Sequence, residues 1–283
     1  MKTAKSAFLG GLLLALSLSG ARADWRLGAE TGAFYESNQS NSDRASDVQD
    51  DWAWRSNLRV SNGLQLSRDL RLNLGGDLRG QVWGRFGAFN EIGAGLSANL
   101  RYRFGLGRQA PWIALEERIG YDGFQETDRS NWDESLALRG GIFISDRLAL
   151  EAGYLFENLA AVDDFFDQQS HSATARLICD LTSWLQIALG YTYRDGDVFS
   201  YAIPPRPDIV ALASELRPVT TFGSNPLYTA YRLQGQTHAV SISAACALTR
   251  YLSAQVTYRF STTSHDPLQY ENHAVEAKIA FAY

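Results

Sequence analysis

The chain ends in Glu276-Ala277-Lys278-Ile279-Ala280-Phe281-Ala282-Tyr283, a run that alternates without a break and stops on an aromatic. In an extended strand successive side chains point to opposite faces. Val275, Ala277, Ile279, Phe281 and Tyr283 therefore share one face, and Ala274, Glu276, Lys278, Ala280 and Ala282 share the other. One face suits oil and the other suits water.

The opposite end of the chain narrows the setting. Lys2 and Lys5 precede an apolar run from Ala7 to about Leu18, and Ala21-Arg22-Ala23 stands before Asp24. This is the layout of a cleavable secretory signal over residues 1–23. The apolar run is shorter than the ~20 residues a spanning helix needs, and no later stretch could serve as a transmembrane helix. Residues 24–283 are long enough for one large β domain. Losing Lys2, Lys5 and Arg22 takes the formal net charge from −5 to about −8, which argues against a nucleic-acid partner. Lys278 is then the only lysine, and every other strong cation is arginine.

Cut at its short polar turns, the chain shows a recurrent unit. "SRDLRLNLGGDL", "SDRLALEAGYLF", "LTSWLQIALGYTY" and "LTRYLSAQVTYRF" each set a turn before an alternating run. Extending this reading predicts twelve strands, near 25–35, 52–66, 70–83, 92–104, 112–121, 132–144, 148–158, 170–179, 184–194, 231–248, 251–261 and 272–283. Connections on one side are short, such as Ser145-Asp146-Arg147 and Thr249-Arg250. Those on the other are mostly longer, polar and acidic, such as "ESNQSNSDRASDVQDD". An even strand count, short turns on one rim, long loops on the other and both termini on the short-turn side predict an all-β fold. The expected form is a transmembrane, antiparallel, up-and-down β-barrel of twelve strands. Cys179 and Cys246 fall on strands that are not neighbours, so two free, outward-facing thiols are expected.

The aromatics give an independent check. Tyr35, Tyr121, Tyr154, Tyr191 and Tyr258 stand on the outward face just before a long loop, and Trp25, Trp112, Trp184, Tyr251 and Tyr283 stand near the short turns. About nine residues separate the two levels, close to the ~9–11 of a tilted membrane strand. A soluble β-sandwich would not explain two such girdles.

The repeated turn-to-strand unit ending in Tyr, the secretory signal and the terminal "IAFAY" resemble the Gram-negative outer-membrane β-barrels, and among them the β-barrel porins of unknown substrate. The resemblance covers the whole of residues 24–283. It implies an outer-membrane location, contact with outer-membrane lipid and lipopolysaccharide, and recognition of Ile279, Phe281 and Tyr283 by the outer-membrane assembly machinery.

If the apolar alternates face lipid, the others face inward. They include Arg55, Arg59, Arg71, Asp77, Arg79, Arg101, Arg103, Glu116, Arg118, Arg139, Glu151, Arg176, Arg259, Glu276 and Lys278. Arg55, Arg59, Arg71, Arg79, Arg101 and Arg103 come from strands two to four with only Asp77 among them, so a basic stripe is expected on one wall. Such a stripe concentrates anions. The function this predicts is passive diffusion of small hydrophilic, anionic solutes. The alternative is a structural or adhesive surface barrel with a closed lumen, its Arg and Glu paired across the interior, and functional outer loops.

Four further expectations follow. The long loop at about 195–228 contains Pro207-Asp208 before an Ile-Val-Ala-Leu-Ala run, which predicts a helix of about two turns acting as a constriction or lid; Arg206 and Arg217 are available there to contact solute. The parity change between Tyr231/Leu233 and Val240/Ile242 suggests a β-bulge near Gly235, and Glu117 would face lipid if its strand keeps alternation. An enzyme is the weaker reading, because His171 and Ser172 point to opposite faces and His238 and Ser241 have the wrong parity for a hydrolytic pair. No metal site or cofactor is expected; Asp43, Asp47, Asp50 and Asp51, or Asp163, Asp164 and Asp167, lack an EF-hand spacing for Ca²⁺.

Overall fold

The computed structural model describes residues 24–266 and 268–283, so the expected signal segment lies outside the described residues. The strands are β1 (Asp24–Glu36), β2 (Asp51–Gln65), β3 (Leu70–Trp83), β4 (Glu91–Arg103), β5 (Trp112–Phe124), β6 (Asn131–Phe143) and β7 (Leu148–Ala161). They continue with β8 (Gln168–Asp180), β9 (Leu185–Ala202), β10 (Glu215–Ser224), β11 (Leu227–Ala247), β12 (Leu252–His265) and β13 (Leu268–Ala282). All neighbours pair antiparallel. β1 pairs with β13 and β9 pairs with β11, so twelve strands close a ring and β10 is attached to β11 alone.

Alternation explains the two faces of the wall. On β3, Leu78 and Val82 are 59% and 60% exposed, while the residues between them, Arg79 and Gln81, reach into the barrel. A continuous wall of exposed Leu, Ile, Val and Trp is stable only against hydrocarbon. Closure seals every strand edge within the membrane, which lipid demands because it offers backbone groups no hydrogen bonds. Tyr283 completes the seam, its backbone exchanging hydrogen bonds with Leu27 at 2.8 and 3.0 Å.

Several sequence expectations are revised. The loop after β9 is mostly strand: β9 continues to Ala202, β10 and β11 form a hairpin above the membrane, and only one helical turn, α1 (Pro207–Val210), forms. No bulge interrupts β11, whose register with β9 is constant from Thr229↔Ala202 to Cys246↔Leu185. The parity changes because the surroundings change. In the membrane band the outward residues Val240 and Ile242 are apolar, while above it the inward residues Tyr231 and Leu233 bury against Ile209 and Leu268. Trp112 turns inward, with the Arg101 guanidinium 4.1 Å from its ring. β5 keeps its alternation, so Glu117 stands on the outer face between Ala98 and Leu136.

Candidate functional site

The interior holds an ion network that runs along the wall from β3 to β6. Arg79 on β3 donates to Asp122 on β5 (Nε to Oδ1, 2.7 Å) and to Asp133 on β6. Arg118 on β5 donates to Asp77 on β3 at 3.2 and 3.3 Å and also to Asp133. Links from β3 to β6 skip two strands, which is achievable only through the interior. Small residues make room for them. A Cβ on Gly93 would fall 1.9 Å from Asp122 Oδ1, and one on Gly95 would fall 2.3 Å from Arg118 Nη2.

The expected basic stripe is thereby divided. Arg79 is neutralised across β4 by Asp122 and Asp133, neither of which is among the lining residues expected from sequence. Asp122 lies just past the expected end of its strand; Asp133 shares parity with Arg139, which was the available signal. Arg55 stacks on Phe34 at 3.6 Å and donates to Gln81. Arg139 reaches Glu116 at 3.9 Å, Arg259 reaches Glu36 at 3.7 Å, and Lys278 reaches Glu30 at 2.8 Å. Arg71 donates to Asn73. Among the described residues, Arg59, Arg101, Arg103 and Arg176 have no carboxylate in ion-pairing reach. The inner wall thus keeps guanidinium groups without a direct ion pair, Arg59 and Arg176 standing opposite Asp77 and Glu151 in the ladders without bonding to them.

The lumen is not filled. A cavity of about 350 Å³ lies against β1–β4 and β13, lined by Glu30, Arg55, Arg79, Glu91, Glu276 and Lys278. Another of about 300 Å³ touches Trp112, Arg139, Glu151, Arg176 and Ser241 on the other wall. A third, of about 380 Å³, lies near the outer mouth between Arg129, Asn131, Arg194, Phe89, Phe166 and Tyr201. Asn131 is 7% exposed and its side-chain oxygen accepts no hydrogen bond.

Above that cavity the outer loops meet across the mouth. Phe86 and Phe89, between β3 and β4, pack on Phe222 of β10 with ring centroids 4.8 and 5.7 Å apart. These segments stand on opposite sides of a twelve-strand ring, so the contact spans its width. Phe165, Phe166, Phe199, Tyr201, Val219 and Tyr228 form the buried core of this cap, and Arg129 inserts among Phe89, Phe166 and Tyr201. The first loop is tied in through Arg206, whose side chain is fully buried. It donates to Asp43 at 2.8 Å and to Asp208 at 2.9 Å and lies 3.7 Å from Asp47. The Arg206 hydrogen bonds hold the Asp208 carboxyl down at about 2. Arg217 does the same in direction for Asp163, aided by the Phe165 N–H.

The acidic loop residues are engaged in building this cap. Asp51 accepts from the N–H groups of Trp52, Arg85 and Phe86, Asp50 pairs with Arg85, and Asp167 accepts from the Ala161 N–H. His171 is exposed on the outer wall while Ser172 is buried, so the two do not meet. Ile279, Phe281 and Tyr283 lie exposed on the outer face of β13.

The sequence matches no protein-family model and none of the curated protein sequences. Among solved structures, an outer-membrane channel from Pseudomonas putida F1 is similar over 93% of this chain and 98% of its own, at 12% identity and a TM-score of 0.62. The NanC porin aligns over 90% and 98% of the two chains at 8% identity and a TM-score of 0.47. An anion-selective porin from Comamonas acidovorans aligns over 92% and 99% at 9% identity and a TM-score of 0.44. The first of these likenesses is one of fold, and the fold is that of an outer-membrane β-barrel.

Proposed function

We propose that this protein is an outer-membrane channel for passive diffusion of small hydrophilic, anionic solutes, and that the cap described above is its closed gate. The observation that carries this reading is the set of lumenal arginines without a direct ion pair, Arg59, Arg101, Arg103 and Arg176, in a barrel with open space on both walls, one cavity being lined by Arg55 and Arg79 and the other by Arg139 and Arg176. A fixed positive charge between low-dielectric walls lowers the barrier to anion entry. Arg194 and the unpaired Asn131 oxygen in the cavity under the cap offer a solute one cation and one acceptor before it descends. Lumenal charges from Arg55 to Lys278 then act by setting selectivity, with no cofactor involved.

In this reading the chain is exported by its 1–23 segment, and Ile279, Phe281 and Tyr283 address it to the assembly machinery. The test is single-channel recording of refolded residues 24–283 in a planar bilayer under a salt gradient. Discrete steps with a reversal potential on the anion side are expected, and Arg59→Glu with Arg101→Glu should move that potential toward cations. A folded barrel that stays silent would overturn the channel. It would favour the second reading, a closed barrel acting through its outer loops, which draws on the same ion network and cap.

A further inference from the structure

We propose that the outer wall carries a docking site for the phosphorylated sugar head group of outer-leaflet lipopolysaccharide, built from His171, His238 and His273. On three neighbouring hairpins the same arrangement recurs. The rising strand carries Tyr-x-aromatic: Tyr154 and Phe156 on β7, Tyr191 and Tyr193 on β9, Tyr258 and Phe260 on β12. The descending strand carries a histidine, in "HSATA" at 171–175, "HAVSI" at 238–242 and "HAVEA" at 273–277. Each tyrosine hydroxyl meets the histidine Nδ1, at 2.6, 2.7 and 2.8 Å. The second aromatic packs on each imidazole with centroids 5.1, 5.2 and 5.1 Å apart.

We take the tautomer in which each phenol donates to Nδ1 and the ring proton lies on Nε2; among the described residues no protein group accepts from Nε2 at any of the three sites. All three imidazoles are exposed. The result is three N–H donors at the height of the outer aromatic girdle, each beside an aromatic face. Hairpins β1–β2 and β5–β6 instead set Trp52 and Trp132 opposite their tyrosines, so barrel packing itself does not call for histidine here.

The occupant follows from where the donors stand. The arginines and Lys278 of the membrane strands reach inward, and on the β7–β13 side of the outer girdle these imidazoles take the place that the indoles of Trp52 and Trp132 hold on the other hairpins. Asp195, which stands opposite His171 in the ladder, is taken by Tyr193 and Gln236. A ligand that brings phosphate oxygens to girdle height satisfies Nε2–H, and a sugar ring stacks on the adjoining aromatic faces. A phospholipid supplies the phosphate without the ring.

The test uses refolded residues 24–283 titrated with purified lipopolysaccharide and followed by native mass spectrometry. His171→Phe, His238→Phe and His273→Phe together keep the aromatic surface and remove the donors. This triple variant is expected to bind about tenfold more weakly. Dephosphorylated lipopolysaccharide should bind the unaltered protein at that reduced level, and phosphatidylglycerol should bind both proteins alike. Equal lipopolysaccharide binding by the two proteins, or no effect of dephosphorylation, would overturn the proposal. So would phosphatidylglycerol that competes as well as lipopolysaccharide. Should the triple variant not fold, acylation of the unaltered imidazoles by diethyl pyrocarbonate decides: lipopolysaccharide should slow it about fivefold or more, and an unchanged rate refutes the site.

Discussion

Replacing Arg206 with Met tests whether the cap is a gate. The substitution keeps a long side chain and removes the charge that Asp43, Asp47 and Asp208 share, leaving only the exposed Arg44 at 3.7 Å beside Asp208. Breaking a buried ion pair from one side costs about 3–5 kcal/mol. Asp43 and Asp208 keep side-chain exposures of 25% and 40% and can rehydrate, so about 2–3 kcal/mol is the better expectation here. That changes the ratio of closed to open cap by roughly 30- to 150-fold. A channel open about 1% of the time would then be open for between a quarter and more than half of it.

The assay is the open-time distribution in single-channel records, paired with hydrogen exchange of the Tyr201 amide, which donates to Ser40 O at 2.8 Å beneath the lock. Arg217→Met is the control: its ion pair with Asp163 is half-exposed and is worth under about 1 kcal/mol, so open time should barely change. The reasoning fails if Arg206→Met speeds exchange at Tyr201 while open probability stays at the value of the unaltered channel. The cap would then be loosened without governing passage.

Other consequences are briefer. Because Arg206 holds Asp208 at about 2, the lock is fully formed above the ordinary carboxylate value of about 3.9 and is lost as pH falls toward 2. Open probability should be flat from about pH 5 to 8 and rise below about pH 4, and a rise between pH 6 and 7 would contradict this. Asp133→Asn removes the carboxylate shared by Arg79 and Arg118 and should raise the anion-to-cation permeability ratio about two- to tenfold in reversal potentials. Glu117→Leu removes a lipid-facing charge and should stabilise the barrel by about 1–2 kcal/mol in urea unfolding from vesicles; destabilisation would mean that Glu117 has an unrecognised partner. Phe281→Ala should slow assembly in vivo while leaving refolding into detergent unchanged, since the side chain faces outward and β13 keeps its backbone pairing.

The membrane band was readable from sequence because lipid enforces one rule on it. An outward residue must be apolar, and β3, β4 and β13 obey without exception over their middle stretches. Above the band the β9–β11 extension is covered on both faces, Phe199, Tyr201, Tyr228 and Ala230 packing in the cap core and Tyr231 and Leu233 packing on Ile209 and Leu268, so the rule lapses. Tyr231 and Leu233 are apolar for the cap just as Val240 and Ile242 are apolar for lipid. A single parity rule applied through both regions demands a bulge that the backbone does not contain. β10 was hidden for a related reason. Pro218 sits within it, and proline is tolerated in a strand only at a free edge, a status that β10 has because it pairs with β11 alone.

The charges inside the lumen show the other boundary of such reading. Parity assigns Arg79 to the interior but does not say which residues stand beside it on the neighbouring strands. Its partners are set by the ladder register, which lines Arg79, Gly93 and Asp122 up in one row across β3, β4 and β5 and leaves Asp133 of β6 within reach over the side-chain-free glycines. Arg59 stands opposite Asp77 in the ladder, but that carboxylate is held by Arg118 and Arg79, and Arg101 has no direct ion pair among the described residues. Selectivity therefore depends on which cations the neighbouring strands leave without a direct ion pair. A charge reversal at Arg79 mainly breaks the network from β3 to β6, while the same reversal at Arg101 acts on the field that a permeating ion meets.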